Sequence, residues 1–230
     1  MKLLLTSAGI KNASIHRALL DLLGKPLEEC SALCIPTASY GHRGGAQRAW
    51  NFISGKEPRC PMCDLGWKSL GVLELTALPS LDKDFWEPMV RETDVLLVNG
   101  GDPLFLCYWM RQSGFADLLP SFNGVYVGLS AGSMVMTPNI GADFVEWTPP
   151  SGGDKTLGLV DFSIFPHLDC PGLPDNTMPN AEKWAAGMAV PCYVIDDETA
   201  FKVADGEVEV VSEGQWKLIP HAQIPTATAG

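Results

Sequence analysis

The chain has 230 residues, 46% of them hydrophobic and 19% charged, which excludes a disordered or fibrous chain and suits one globular domain with a core of its own. A net charge of -11 opposes attraction to nucleic acid or to an anionic membrane, so neither is expected as a partner. The apolar opening Met1-Lys2-Leu3-Leu4-Leu5 stops at Thr6-Ser7, too short for a signal-peptide core or a membrane span, and the expected location is the cytoplasm.

In chain order, Lys2 to Thr6 reads as a buried strand, Ile15 to Leu23 as an amphipathic helix ending at Gly24, Ala32 to Pro36 as a second strand, and Gly45 to Ile53 as a second helix. Cys60-Pro-Met-Cys63 has the spacing of half a zinc site or a redox pair. No second pair accompanies it and its surroundings read as a loop, so no metal is assigned. The seven cysteines are spread over the chain, several (Cys34, Cys107, Cys192) inside apolar stretches, as reduced cysteines serving as small hydrophobes would be. Gly71 to Ala77 predicts a strand, Asp84 to Glu92 a helix, Asp94 to Val98 a strongly apolar strand, and Leu104 to Gln112 a helix. Val125 to Leu129 is a strand that runs into Ser130, followed by a helix from near Ala131 to Met136. A Pro/Gly-rich loop around Thr148 to Asp154 leads to a strand from Leu157 to Phe165. Asn180 to Met188 reads as a helix, and Cys192 to Ile195, Ala200 to Val203, Glu207 to Val211 and Trp216 to Ile219 as short strands with hairpins at Asp205-Gly206 and Glu213-Gly214.

Apolar strands without alternation imply burial on both faces. The predicted fold is therefore α/β, a doubly wound, mostly parallel sheet with a C-terminal antiparallel hairpin region, one unit over 1–220 and a frayed tail over 221–230. Ligands of such sheets bind beyond the carboxyl ends of the strands, which brings together Thr6 to Gly9, Asn99 to Asp102 and Gly128 to Ser130.

The pattern Gly128-x-Ser130-x-Gly132 is that of a nucleophile elbow, where a strand reverses into a helix among residues without bulky Cβ groups. A serine needs a base. Of the four histidines, His16 lies in a helix, His221 in the tail and His42 in a loop rich in glycine and charge, while His167 ends the apolar run Phe162 to Pro166. For the carboxylate, Asp197 in Asp196-Asp197-Glu198 is the choice, with Asp196, Glu198 and Asp169 as rivals. In the loop Val98-Asn99-Gly100-Gly101-Asp102, an amide of Gly100 or Gly101 can form an oxyanion hole with that of Ala131. The order Ser, His, acid differs from that of α/β-hydrolases.

With Val-Asn-Gly-Gly-Asp at 98–102, Gly-Leu-Ser-Ala-Gly-Ser at 128–133, Phe-Pro-His at 165–167 and Ile-Asp-Asp-Glu-Thr-Ala at 195–200, the chain resembles the peptidase E (aspartyl dipeptidase) family of serine peptidases, related to cyanophycinase. The resemblance spans roughly residues 1–210. It implies a flavodoxin-like, class I glutamine amidotransferase-like scaffold and a triad mapping to Ser130, His167 and Asp197. It further implies hydrolysis of short peptides through an acyl-enzyme, no metal and no cofactor. A monomer or homodimer is expected. The family usually carries asparagine at the position of Asp102 and glutamate at that of Asp197. Its aspartyl-specific members follow the histidine with an arginine in a Gly-Glu-Thr-Arg-like segment, where this chain, over 175–184, has only Lys183 as a cation. Asp102 and Lys183 are accordingly the expected substrate-binding charges. The alternatives are hydrolysis of another amide, β-aspartyl or cyanophycin-like, and a non-catalytic small-molecule-binding module on the same scaffold.

Overall fold

The computed structural model describes residues 1–56 and 61–221, so Cys60 of the Cys-x-x-Cys motif and all but the first residue of the expected tail lie outside the described residues. The first half of the chain alternates β1 (Lys2–Thr6), α1 (Ala13–Leu23), β2 (Ser31–Ile35), α2 (Gly45–Ile53), β3 (Ser69–Val72), α3 (Lys83–Glu92), β4 (Val95–Val98), α4 (Pro103–Gln112), α5 (Phe115–Leu118), β5 (Val125–Leu129) and α6 (Ala131–Met134). The second half adds β6 (Ser163–Phe165), α7 (Met178–Ala186), β7 (Cys192–Ile195), β8 (Thr199–Ala204), β9 (Glu207–Ser212) and β10 (Trp216–Ile219).

Seven strands form one sheet in the order β3-β2-β4-β5-β1-β8-β9, the first five parallel and the last two antiparallel. Successive side chains of a strand point to opposite faces, which is why its central strands are apolar throughout. On β4, Val95 and Leu97 join Leu19 and Leu22 of α1 and Phe52 of α2. Leu96 and Val98 face the other way, with Trp86 of α3 and Leu106 and Met110 of α4. Helices thus cover both faces, as the doubly wound prediction requires. Among the described residues, no helix is long and apolar enough to cross a membrane.

A second sheet, β10-β7-β6, packs with α7 around Phe165, Trp184, Met188 and Val194. Three expectations change here. The strand foreseen from Leu157 is only Ser163–Phe165, because the amides of Leu157, Gly158 and Leu159 turn back onto the carbonyls of Val135, Thr137 and Met136. The helix after Ser130 closes at Met134. The Asp205-Gly206 hairpin forms, with φ of 53° and 83° at its two centre residues, as a tight two-residue turn demands. The Glu213-Gly214 hairpin does not, since β9 pairs with β8 while β10 crosses to pair with β7. Asp196 fastens that crossing by accepting from the amides of Gln215 and Glu198 and from Thr199 Oγ1.

Candidate active site

The elbow is built as its spacing demands. Ser130 stands between β5 and α6 with φ 50° and ψ -110°, a conformation that costs a non-glycine residue about 1–3 kcal/mol and must be held by its surroundings. Its amide donates to Thr6 O at 3.0 Å, and its carbonyl accepts from the amides of Ser133 and Met134 at 2.8 and 2.9 Å. A Cβ on Gly128 would collide with the backbone of Gly132, and one on Gly132 with the carbonyl of Val98. Neither position tolerates a side chain without moving the turn.

His167 Nε2 lies 2.9 Å from Ser130 Oγ, and His167 Nδ1 lies 2.6 Å from Asp197 Oδ1. An ionised carboxylate can only accept, so the imidazole proton sits on Nδ1 and the Nε2 lone pair faces the serine hydroxyl. His167 and Asp197 follow the adjacent parallel strands β6 and β7, which aims both at the end of β5. Burial pushes the Asp197 carboxyl up, but the hydrogen bond and charge of His167 and the Ser7 hydroxyl outweigh it and hold the group below the ordinary aspartate range. The rival acids are engaged elsewhere or exposed. Asp196 fastens the strand crossing, Glu198 meets Asn12 Nδ2 and Lys11, and Asp169 points outward.

Of the proposed oxyanion amides, that of Gly100 donates to Asn99 Oδ1 at 2.8 Å. Those of Gly101 and Ala131 have no acceptor among the described residues. The site therefore offers Gly101 and Ala131 in preference to Gly100.

Of the two substrate-binding charges expected from sequence, Asp102 borders the cavity at Ser130 with its carboxylate engaged in capping a helix, and Lys183 lies in another cavity. Asp102 is 1% exposed and is the N-cap of α4: Oδ1 accepts from the amides of Leu104 and Phe105 at 2.9 and 2.8 Å, and Oδ2 from that of Trp147 at 2.8 Å. Burial raises its carboxyl above the usual range. Asp102→Ala is expected to cost about 2 kcal/mol of stability, read as a fall in denaturation midpoint, with substrate KM little changed. Lys183, on α7, lines a separate cavity with Gly141, Asp154 and Met188. The cavity of about 660 Å³ at Ser130 and His167 is lined by Asp102, Arg48 and His42, together with Asp143, Glu146 and Asp175. His42, set aside on sequence as a loop residue, pairs its Nδ1 with Glu146 at 2.9 Å. Arg48 lies in α2, and nothing in its helical pattern separates it from an ordinary solvent-facing charge. Among the described residues, no group of three or more His, Cys, Asp or Glu side chains is placed to hold a metal.

Elbow serine, imidazole and carboxylate in this arrangement make up the geometry of a serine-nucleophile triad on an α/β sheet. The chain belongs to peptidase family S51, whose family model matches residues 3–211. It is 31% identical over 85 residues to an uncharacterized peptidase of Pasteurella multocida, covering 34% of this chain and 41% of that one. It is 26% identical over 126 residues to an uncharacterized peptidase of Listeria monocytogenes, covering 52% and 60%. The chain thus spans less than two thirds of the length of these curated relatives. Its fold matches that of a candidate peptidase E protein from Listeria monocytogenes with a TM-score of 0.62 at 22% identity, covering 93% of this chain and 98% of that one. It matches a peptidase from an acI-B1 actinobacterium with a TM-score of 0.62 at 17% identity, covering 96% and 95%.

Proposed function

We propose that this protein is a serine peptidase that hydrolyses short peptides through an acyl-enzyme, with residues 1–220 acting as one hydrolytic unit. The observation that carries the reading is the 2.9 Å contact of Ser130 Oγ with an imidazole whose far nitrogen is already held by a carboxylate. Ser130 attacks the scissile carbonyl as His167 Nε2 takes its proton. The amides of Gly101 and Ala131 receive the oxyanion. The imidazolium then protonates the leaving amine, the acyl group remains on Ser130, and His167 activates the water that releases it. Asp197 stays ionised throughout, fixing the tautomer and stabilising the charged imidazole.

The finer reading is preference for an acidic residue at the peptide's amino end. Arg48 on the cavity wall supplies a cation for its carboxylate, in place of Lys183. The test is release of free amino acid from Asp-Leu, Leu-Leu and a β-aspartyl dipeptide, with Ser130→Ala as the control. Ser130-dependent cleavage of Asp-Leu ahead of Leu-Leu is expected, and Arg48→Ala should raise KM for Asp-Leu about tenfold while leaving that for Leu-Leu in place. Preferential cleavage of the β-aspartyl dipeptide would replace this substrate assignment by an isopeptide one on the same triad. Folded protein inert toward all three and toward a fluorophosphonate would sink the peptidase reading.

A further inference from the structure

Ser7, the residue after β1, has no part in the scheme above, yet its hydroxyl touches both remaining members of the triad. It is fully buried. Ser7 Oγ accepts from the backbone amide of His167 at 2.9 Å and lies 3.1 Å from Asp197 Oδ1 and 3.4 Å from His167 Nδ1. Counting protons settles which of these contacts are hydrogen bonds. The imidazole Nδ1 proton goes to Asp197 at the shorter distance of 2.6 Å, so it is not available to Ser7, and Nδ1 has no lone pair to offer. The single Ser7 hydroxyl proton therefore goes to Asp197, and the oxygen lone pair takes the His167 amide.

Both interactions answer a need. His167 has φ 59°, in the left-handed region that is uncommon for a residue other than glycine, and its amide there is held by Ser7. No other acceptor for the His167 amide is present among the described residues, so without Ser7 a part-buried N–H loses its partner. Asp197 Oδ1 accepts from His167 and Ser7 together, which fixes the carboxylate as well as the ring it steers. Ser7 is itself anchored, its amide donating to Thr199 O at 3.2 Å. Its neighbour Thr6 carries the other half of the site: Thr6 O accepts from the Ser130 amide and from Ser133 Oγ.

We infer that Ser7 is a positioning residue, whose hydroxyl locks the His167 backbone and the Asp197 carboxylate to the end of β1 and so sets the imidazole against Ser130. The inference rests on the proposed triad. It predicts that losing the hydroxyl slows chemistry without weakening binding, because a base displaced by a fraction of an ångström costs about 10–100-fold in rate.

The probe is a fluorophosphonate that reacts at an activated serine, followed to give a maximal inactivation rate and a half-saturating concentration. Ser7→Ala is expected to lower the maximal rate about 10–100-fold with half-saturation within about twofold. The far-downfield proton resonance of the His167 Nδ1–Asp197 hydrogen bond should shift or broaden with it, which a residue serving only overall stability would not cause. Should Ser7→Ala melt below the assay temperature, Ser7→Cys, which keeps the shape but replaces the hydroxyl by a weak sulfur donor, is expected to give the same two changes. A folded variant with unchanged maximal rate and unchanged resonance overturns the inference. Wild-type protein that does not react at Ser130 overturns the triad reading beneath it, so the two failures are distinguishable.

Discussion

Ser130→Ala is expected to reduce turnover by about 10⁴–10⁶-fold, because the bond that defines the acyl-enzyme can no longer form and the remaining groups act as a unit with the nucleophile. Substrate affinity should stay close to that of the parent, since the cavity wall beside it is untouched. Alanine leaves the turn at the same positive φ, so the strain of the elbow persists and its amide still reaches Thr6 O. Initial rates on the most readily cleaved dipeptide, paired with thermal melts, check this. A folded Ser130→Ala protein with undiminished turnover would place the chemistry elsewhere.

Asp197→Asn is expected to lower turnover by about 10⁴-fold with the fold intact. The amide can present a donor to Nδ1 and stabilise the tautomer whose Nε2 carries the proton, leaving no base toward Ser130. Asp196→Asn makes the contrasting case. It touches the strand crossing through Gln215, Glu198 and Thr199, so its effect should be a lower denaturation midpoint with the chemical step retained. Side-by-side kinetics and melts of the two variants separate neighbouring acids that one residue of register divides. The depressed Asp197 carboxyl has a further consequence for pH. A group whose folded value lies below its unfolded one adds stability above the unfolded value and gives it up as pH falls through the folded value, so this contribution disappears on the acid side only. The Asp197→Asn protein should lack it.

Where local chemistry decided position, the sequence was readable. Gly128 and Gly132 are small because backbone passes over them, and Ser130 between them could be found by that spacing. His167 and Asp197 could be found because each follows an apolar strand, and parallel strands deliver their ends to one edge. What the sequence did not make legible depended on partners distant along the chain. Asp102 beside two glycines resembles a site acid, although Pro103 directly after it is also the signature of a capped helix start. Lys183 follows the base in the chain, but the placement of α7 points it into another cavity. Glu213-Gly214 has the composition of a hairpin, and only the pairing of β10 with β7 shows that the chain is changing sheets. Ser7 is one more small polar residue after a strand until His167 and Asp197 arrive from the far end of the sequence.

The triad is divided between two sheets: Ser130 hangs from the seven-stranded one, His167 and Asp197 from the three-stranded one. The contact of Ser130 with His167 therefore depends on how the two sheets pack together. The smaller sheet packs one face with α7 on a core of its own and the other, through Ile164, Tyr193 and Ile195, on the core of the larger sheet. A shift of the smaller sheet against the larger would part the His167 imidazole from Ser130 while each sheet stays paired. The packing of Trp184 and Met188 against Phe165 and Val194, away from the cavity, thereby bears on how the histidine meets the serine.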